Sequence, residues 1–170
     1  QTYIMKKVLI ASPYGGIAGG ISRWTSHIIE YHKKYGSQNW ELSLIPMDRT
    51  KFINNNTPIW KRLWFGLIDY HKILGTFNQR IKSGYDIIHI TSSASLSLYK
   101  DIYMLRRAKK MGAKCVIHFH FGRIPELARQ NNWEWKLIKK VINLADKAVV
   151  IDKSSYDTLA AHGFSNIEML

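Results

Sequence analysis

Lys7-Val8-Leu9-Ile10-Ala11-Ser12-Pro13-Tyr14-Gly15-Gly16-Ile17-Ala18-Gly19-Gly20-Ile21 is the stretch on which the fold turns. Its first half is a short apolar run, as expected of a strand buried on both faces. Its second half holds four glycines and then opens a helix. In that helix Ile21, Trp24, Ile28, Tyr31 and Tyr35 recur at helical spacing, and Gly36 stands where a C-terminal cap belongs. Strand, glycine loop and helix together make the start of a parallel β-α unit. Gly19-Gly20 leaves room for a ligand against the backbone, and the helix behind it offers free N–H groups and a positive dipole end. A phosphate or pyrophosphate is the natural guest. The dinucleotide fingerprint is not met: Gly15 and Gly20 fit its outer glycines, but Ile17 holds the middle position. No Lys-Ser/Thr pair follows to make a P-loop.

Outward from this unit the alternation repeats. Apolar runs at Glu41–Pro46, Asp86–Thr91, Lys114–His120 and Ala148–Ile151 predict four more strands, and a sixth starts at Ile167. Thr57-Pro58 opens a long helix with a buried stripe of Leu63, Leu67, Tyr70, Leu74, Phe77 and Ile81. A helix carrying Ile102, Leu105 and Met111 stops at Gly112. Another spans Trp133 to Leu144, and a last one runs from a Ser154 or Ser155 cap through Ala161. The predicted fold is α/β: a Rossmann-like, doubly wound, mainly parallel sheet with helices on both faces. Residues 1–170 read as one domain. In such sheets ligands bind at the carboxyl ends of the strands.

The 170 residues are 46% apolar, which suits a folded core rather than disorder. No apolar run reaches the roughly 18–20 residues of a membrane span. Cys115 is the only cysteine, which excludes an internal disulfide and multi-cysteine zinc sites; a cytoplasmic location is expected. Lys and Arg number 25 against 12 Asp and Glu, for a net charge of +13. Such a surface favours polyanions, either nucleic acid or anionic lipid. No zinc-finger, RRM or helix-turn-helix signature directs it to nucleic acid.

The loops after the strands hold the candidate chemistry. His118 and His120 alternate along one strand and share a face. The expected picture has His118 inside the sheet layer and His120 at the strand tip, facing the cleft as a neutral hydrogen-bonding imidazole. The reverse assignment stays open. A metal site would need a third ligand; His89, Glu126 and Asp152 stand at no recognised spacing, so neither metal nor cofactor is expected. Arg123 can meet a phosphate or carboxylate. Gly16, Ser92 and Ser93 are further candidate substrate contacts, although Ser92, Ser93 and Ser95 by default cap the following helix. Trp60, Trp64 and Ile68 form a second apolar row beside the buried stripe. With Lys61 and Arg62 beside it, that row fits a membrane-surface contact or a wider core face.

Four segments in order carry a resemblance: Lys7–Ile10 leading to Gly19-Gly20-Ile21, Tyr85-Asp86-Ile87-Ile88-His89-Ile90, Val116-Ile117-His118-Phe119-His120-Phe121-Gly122, and Ala145-Asp146-Lys147-Ala148-Val149-Val150. Together they resemble the N-terminal, acceptor-side half of retaining GT-B glycosyltransferases of family 4. That resemblance implies metal-independent transfer from a nucleotide-sugar donor to a glycan or lipid-linked acceptor, with retention. It implies that Gly19 and Gly20 lie against the donor's phosphates and sugar. It makes His120 the catalytic-centre histidine touching the donor sugar. The C-terminal donor-binding domain, with its paired glutamates, is then absent from this chain, and the fragment alone is expected to be inactive. Thr91 stands where many members carry a second histidine, and Phe121 separates His120 from Gly122. A location at the inner face of the cytoplasmic membrane follows from the lipid-linked acceptor and the basic, Trp-bearing helix. The competing reading is a basic α/β module that binds nucleic acid or a membrane surface without catalysis. A nucleotide-dependent oxidoreductase or epimerase is disfavoured by Ile17 and by the lack of a Tyr-x-x-x-Lys pair.

Overall fold

The computed structural model describes residues 5–15, 19–37, 39–48 and 58–170. Six strands are described: β1 (Lys6–Ser12), β2 (Trp40–Pro46), β3 (Ile87–Ser92), β4 (Lys114–Phe119), β5 (Lys147–Val150) and β6 (Ile167–Met169). Between them lie α1 (Gly20–Tyr35), α2 (Ile59–Ile81), α3 (Ser97–Lys110), α4 (Ile124–Gln130), α5 (Trp133–Leu144) and α6 (Lys153–Ala161). The sheet has the order β2-β1-β3-β4-β5-β6, and every pairing is parallel. The register sets Ile10 against His89, and Thr91 against His118.

This order decides where the helices go. Only the β1-to-β2 connection steps one way along the sheet; every later connection steps the other way. Right-handed crossovers therefore put α1 alone on one face and α2, α3, α5 and α6 on the other. Leu9, Ala11, Ile88, Ile90, Ile117 and Phe119 point to the four-helix face, where they pack with Phe77, Leu105, Trp135 and Ile138. The opposite face is more polar. A hydroxyl relay ties α1 to it: Thr91 donates to Ser12 (2.8 Å), Ser12 bonds Thr25 (2.6 Å), and Thr25 donates to the Ile21 carbonyl (2.9 Å).

The predicted strands are all present within a residue or so of their expected ends. Several helix details differ. In α1 the buried residues are Thr25 and Ile29, while Tyr31 and Tyr35 are exposed. The inward face is thus rotated by one position, because the serine-threonine relay, not an aromatic stripe, seats the helix. In α2, Phe77 and Ile81 are buried as expected, but Leu67 is exposed and Asp69 is buried in its place. The expected N-cap Thr57 and the side chain of Leu63 lie outside the described residues; Pro58 occupies the N-cap position. Serines 92, 93 and 95 do not cap α3, whose N-cap residue is Leu96. A turn with left-handed Ala94 and Ser95 intervenes and delays the helix start. Nor do Ser154 and Ser155 cap α6. Asp152 does, taking both the N–H (2.8 Å) and the hydroxyl (2.7 Å) of Ser155. The helix α4 was not expected, since Pro125 made its seven residues look like loop; proline instead sits in the first turn, where it is tolerated.

Candidate functional site

In a parallel sheet every strand delivers its loop to the same edge. At the carboxyl edge the loops after β1, β3, β4 and β5 come together. Ser12 ends β1, and the chain re-enters the described residues at Gly19, the N-cap of α1. Among the described residues no side chain caps this helix, and no acid lies in its first turn, which suits its first N–H groups and dipole end to an anion. Gly19 is extended (φ −128°, ψ 168°), a conformation open to any residue. A Cβ built on Gly20 would meet no atom of another element within 4 Å among the described residues. The described surroundings therefore require no glycine at position 20. Gly16 lies outside the described residues. Asp48, just past β2, takes the Tyr14 N–H on both carboxylate oxygens (3.1 and 2.9 Å), which fixes the entry to the glycine loop.

Beside this helix start stands a cluster of imidazoles. His118 is buried (1% exposed) at the carboxyl end of β4. His120 is half-buried one residue past the strand, with its N–H donated to the Ser92 carbonyl (3.1 Å). Their ring centroids are 3.8 Å apart, and His89 of β3 lies 5.5 Å from His118. The indole of Trp24, in the second turn of α1, touches all three rings at 5.0–5.3 Å. Burial pushes the His120 imidazole down to about 4. Burial, reinforced by the His120 charge, puts His89 at about 4, and burial with both neighbours puts His118 at about 3. All three are neutral at pH 7. Among the described residues, both nitrogens of His118 and the Nε2 atoms of His89 and His120 are buried without a hydrogen-bond partner. Among the described residues no three His, Cys, Asp or Glu side chains are placed to hold a metal ion. Burial raises the Cys115 thiol to about 11, which makes it a poor nucleophile.

The remaining candidates separate. Ser92 is buried and donates its hydroxyl to Asp101 (2.6 Å), itself paired with Lys100 (2.6 Å). Ser93, like Ser95, is exposed in that loop. Arg123 precedes α4 and reaches Glu134 (3.2 Å) with half its side chain exposed. The same oxygen of Glu134 also accepts the Ser95 N–H (2.8 Å). One buried carboxylate thus joins the loop after β3 to the loop after β4. Gly122 lies against the Asp152 carboxylate, which joins the β4 loop to α6. Trp60, Lys61 and Trp64 lie on the outer surface of α2, away from the imidazoles. Trp24, His89 and Glu134 escape a reading of the sequence because their roles depend on register between separate strands and helices. The one signal available was that parallel pairing sets His89 and His118 on one face.

This edge, on this sheet order, defines the Rossmann-like N-terminal half of a GT-B fold. The family profile of Glycosyltransferase Family 4 matches residues 18–169, and the chain belongs to that family. Two solved structures share the fold. One is a putative UDP-N-acetylglucosamine 2-epimerase from Listeria monocytogenes (TM-score 0.61, 11% identity, covering 96% of this chain and 44% of that one). The other is UGT73P12 of Glycyrrhiza uralensis, complexed with glycyrrhetinic acid 3-O-monoglucuronide (TM-score 0.56, 9% identity, covering 98% and 48%). The chain spans less than half the length of either. No curated protein matches the sequence.

Proposed function

We propose that this domain is the N-terminal, acceptor-side half of an enzyme that moves a sugar, with retention, from a nucleotide-sugar donor to an acceptor. Residues 1–170 form a single domain in this reading, and a C-terminal domain binds the nucleotide. The observation that carries it is the meeting of the uncapped start of α1 with the neutral His120 ring, at the carboxyl edge of a family 4 domain. Gly19 and Gly20 let the donor diphosphate approach the α1 N–H groups, which stabilise the charge that grows on the leaving group. His120 uses its neutral imidazole to hydrogen-bond the donor sugar near the reacting carbon. It is suited to that role because a residue kept near 4 carries no charge to repel an oxocarbenium-like centre. Arg123, held by Glu134, and the exposed Ser93 complete the rim, with Ser92 and His118 supporting from beneath. No metal or cofactor takes part. The acceptor is a glycan or lipid-linked chain in polysaccharide biosynthesis, met at the inner face of the cytoplasmic membrane.

The test is His120→Ala in the complete enzyme. The expected result is a kcat lowered by roughly a hundredfold or more, with the fold intact. An unchanged kcat removes His120 from the mechanism.

A further inference from the structure

The four-helix face is divided in a way that the core does not require. Helices α2, α3 and α5 each contain one acidic residue, and all three acids, Asp69, Asp101 and Glu134, are buried. The outer surface of these helices therefore shows no carboxylate. It shows cations: Lys72, Arg106, Lys110, Lys136 and Lys140 are all exposed. The neighbouring α4 and α6 differ, since Glu126 and Asp157 are exposed there.

The same surface carries large apolar side chains. On α2, Trp60 (65%), Trp64 (62%), Leu67 (55%) and Ile68 (47%) are exposed along one stripe. At 100° per residue they span about a third of the helix circumference, roughly opposite the buried Phe77 and Asp69. Tyr99 on α3 and Trp133 at the start of α5 are exposed as well. These apolar side chains lie toward the helix starts, near the carboxyl edge of the sheet. Lys61, Lys72 and Lys136 stand among or beside them, while Arg106, Lys110 and Lys140 lie toward the opposite ends of their helices.

We infer that the outer surface of α2, α3 and α5 docks on an anionic lipid bilayer, with the apolar zone at the carboxyl edge of the sheet set into the headgroup boundary. Trp and Tyr favour that boundary, and Leu67 and Ile68 gain from apolar burial there. The lysines and arginines among and behind them meet the anionic headgroups, and no exposed acid on the three helices opposes them. A nucleic acid would satisfy the cations but leave Leu67 and Ile68 without a partner. No helix among the described residues is long and apolar enough to cross a membrane, so the contact is peripheral. The docking stands independently of the proposed sugar transfer. If that reading holds, docking also places the cleft edge at the bilayer, where a lipid-linked acceptor is anchored.

The experiment is co-sedimentation of the protein with phosphatidylcholine vesicles, with and without phosphatidylglycerol, with tryptophan emission recorded. Binding is expected only with phosphatidylglycerol, with a blue shift that the double variant Trp60→Ser/Trp64→Ser loses. That variant should bind at least about tenfold more weakly. So should Lys136→Glu/Lys140→Glu, since each basic residue near the surface contributes about a factor of five. All four positions are exposed, and circular dichroism checks that the variants fold. No binding to phosphatidylglycerol vesicles, affinity unchanged in both variants, or binding to duplex DNA in place of vesicles would overturn the inference. His120→Ala should leave vesicle binding intact, so failure of the catalytic reading and failure of this one are told apart.

Discussion

Gly20 is a residue whose lack of a side chain has no explanation among the described residues. A Cβ there meets nothing, and the position begins a regular helix. Gly20→Ala should therefore leave stability unchanged or raise it slightly, since alanine is the better helix former. In the complete enzyme the same change should raise the KM for the nucleotide-sugar donor by roughly tenfold or more, because the methyl group stands where the diphosphate approaches. Thermal melting and steady-state kinetics on the one variant separate the two effects. A donor KM equal to wild type would show that the loop does not contact the donor. The glycine pair was legible in the sequence as a phosphate site. What the sequence could not show is that Gly20 has open space around it among the described residues, because that depends on the packing.

At the scale of elements, the turn between β3 and α3 is the most strained segment described. Ala94 (φ 68°) and Ser95 (φ 60°) are consecutive left-handed residues, and neither is glycine. Each costs about 1–2 kcal/mol relative to right-handed backbone. The turn persists because Ser92 accepts the Ala94 N–H (3.3 Å), Ser97 donates to the Ala94 carbonyl (2.6 Å) and Glu134 accepts the Ser95 N–H (2.8 Å). Removing Glu134 leaves a partly buried N–H unpaired and releases Arg123. Glu134→Ala should lower the unfolding free energy by about 1–3 kcal/mol, measured by urea denaturation. Glu134→Gln keeps an acceptor for Ser95 and should lose less than half of that. Equal losses in the two variants would mean that the charge, not the Ser95 bond, holds the turn. None of this was legible, because three loose serines look like helix caps until the chain's path is known. The strands were legible to within a residue because burial on both faces leaves unbroken apolar runs. Helix phase was less so: Trp and Tyr sit as readily on an outer face as on an inner one, which shifted the expected stripe of α1.

For the whole molecule the imidazole cluster sets the response to acid. His89 and His120 are held to about 4 and His118 to about 3, against 6.5 for a free histidine. The folded values lie below the unfolded one, so unfolding takes up protons throughout that window. Stability is then complete above pH 6.5 and is lost as the pH falls toward 4. The carboxylates act later. Asp86, held below the ordinary range mainly by the Lys7 N–H and then by Lys6, weakens the fold only as it protonates at still lower pH. Urea midpoints measured from pH 7.5 to 4 should fall steadily below pH 6.5, and His118→Phe should flatten part of that slope. A constant midpoint across the window would show that the rings take up protons without unfolding. A further whole-molecule property follows from the parallel sheet. Helices α1, α2, α3, α5 and α6 return against the strands, so all five begin at the carboxyl edge of the sheet. Their partial positive charges add there, and with a net charge of +13 they make that edge a funnel for anions. A diphosphate would then be drawn in by the whole domain before it touches any one residue, and its capture rate would fall as salt is added.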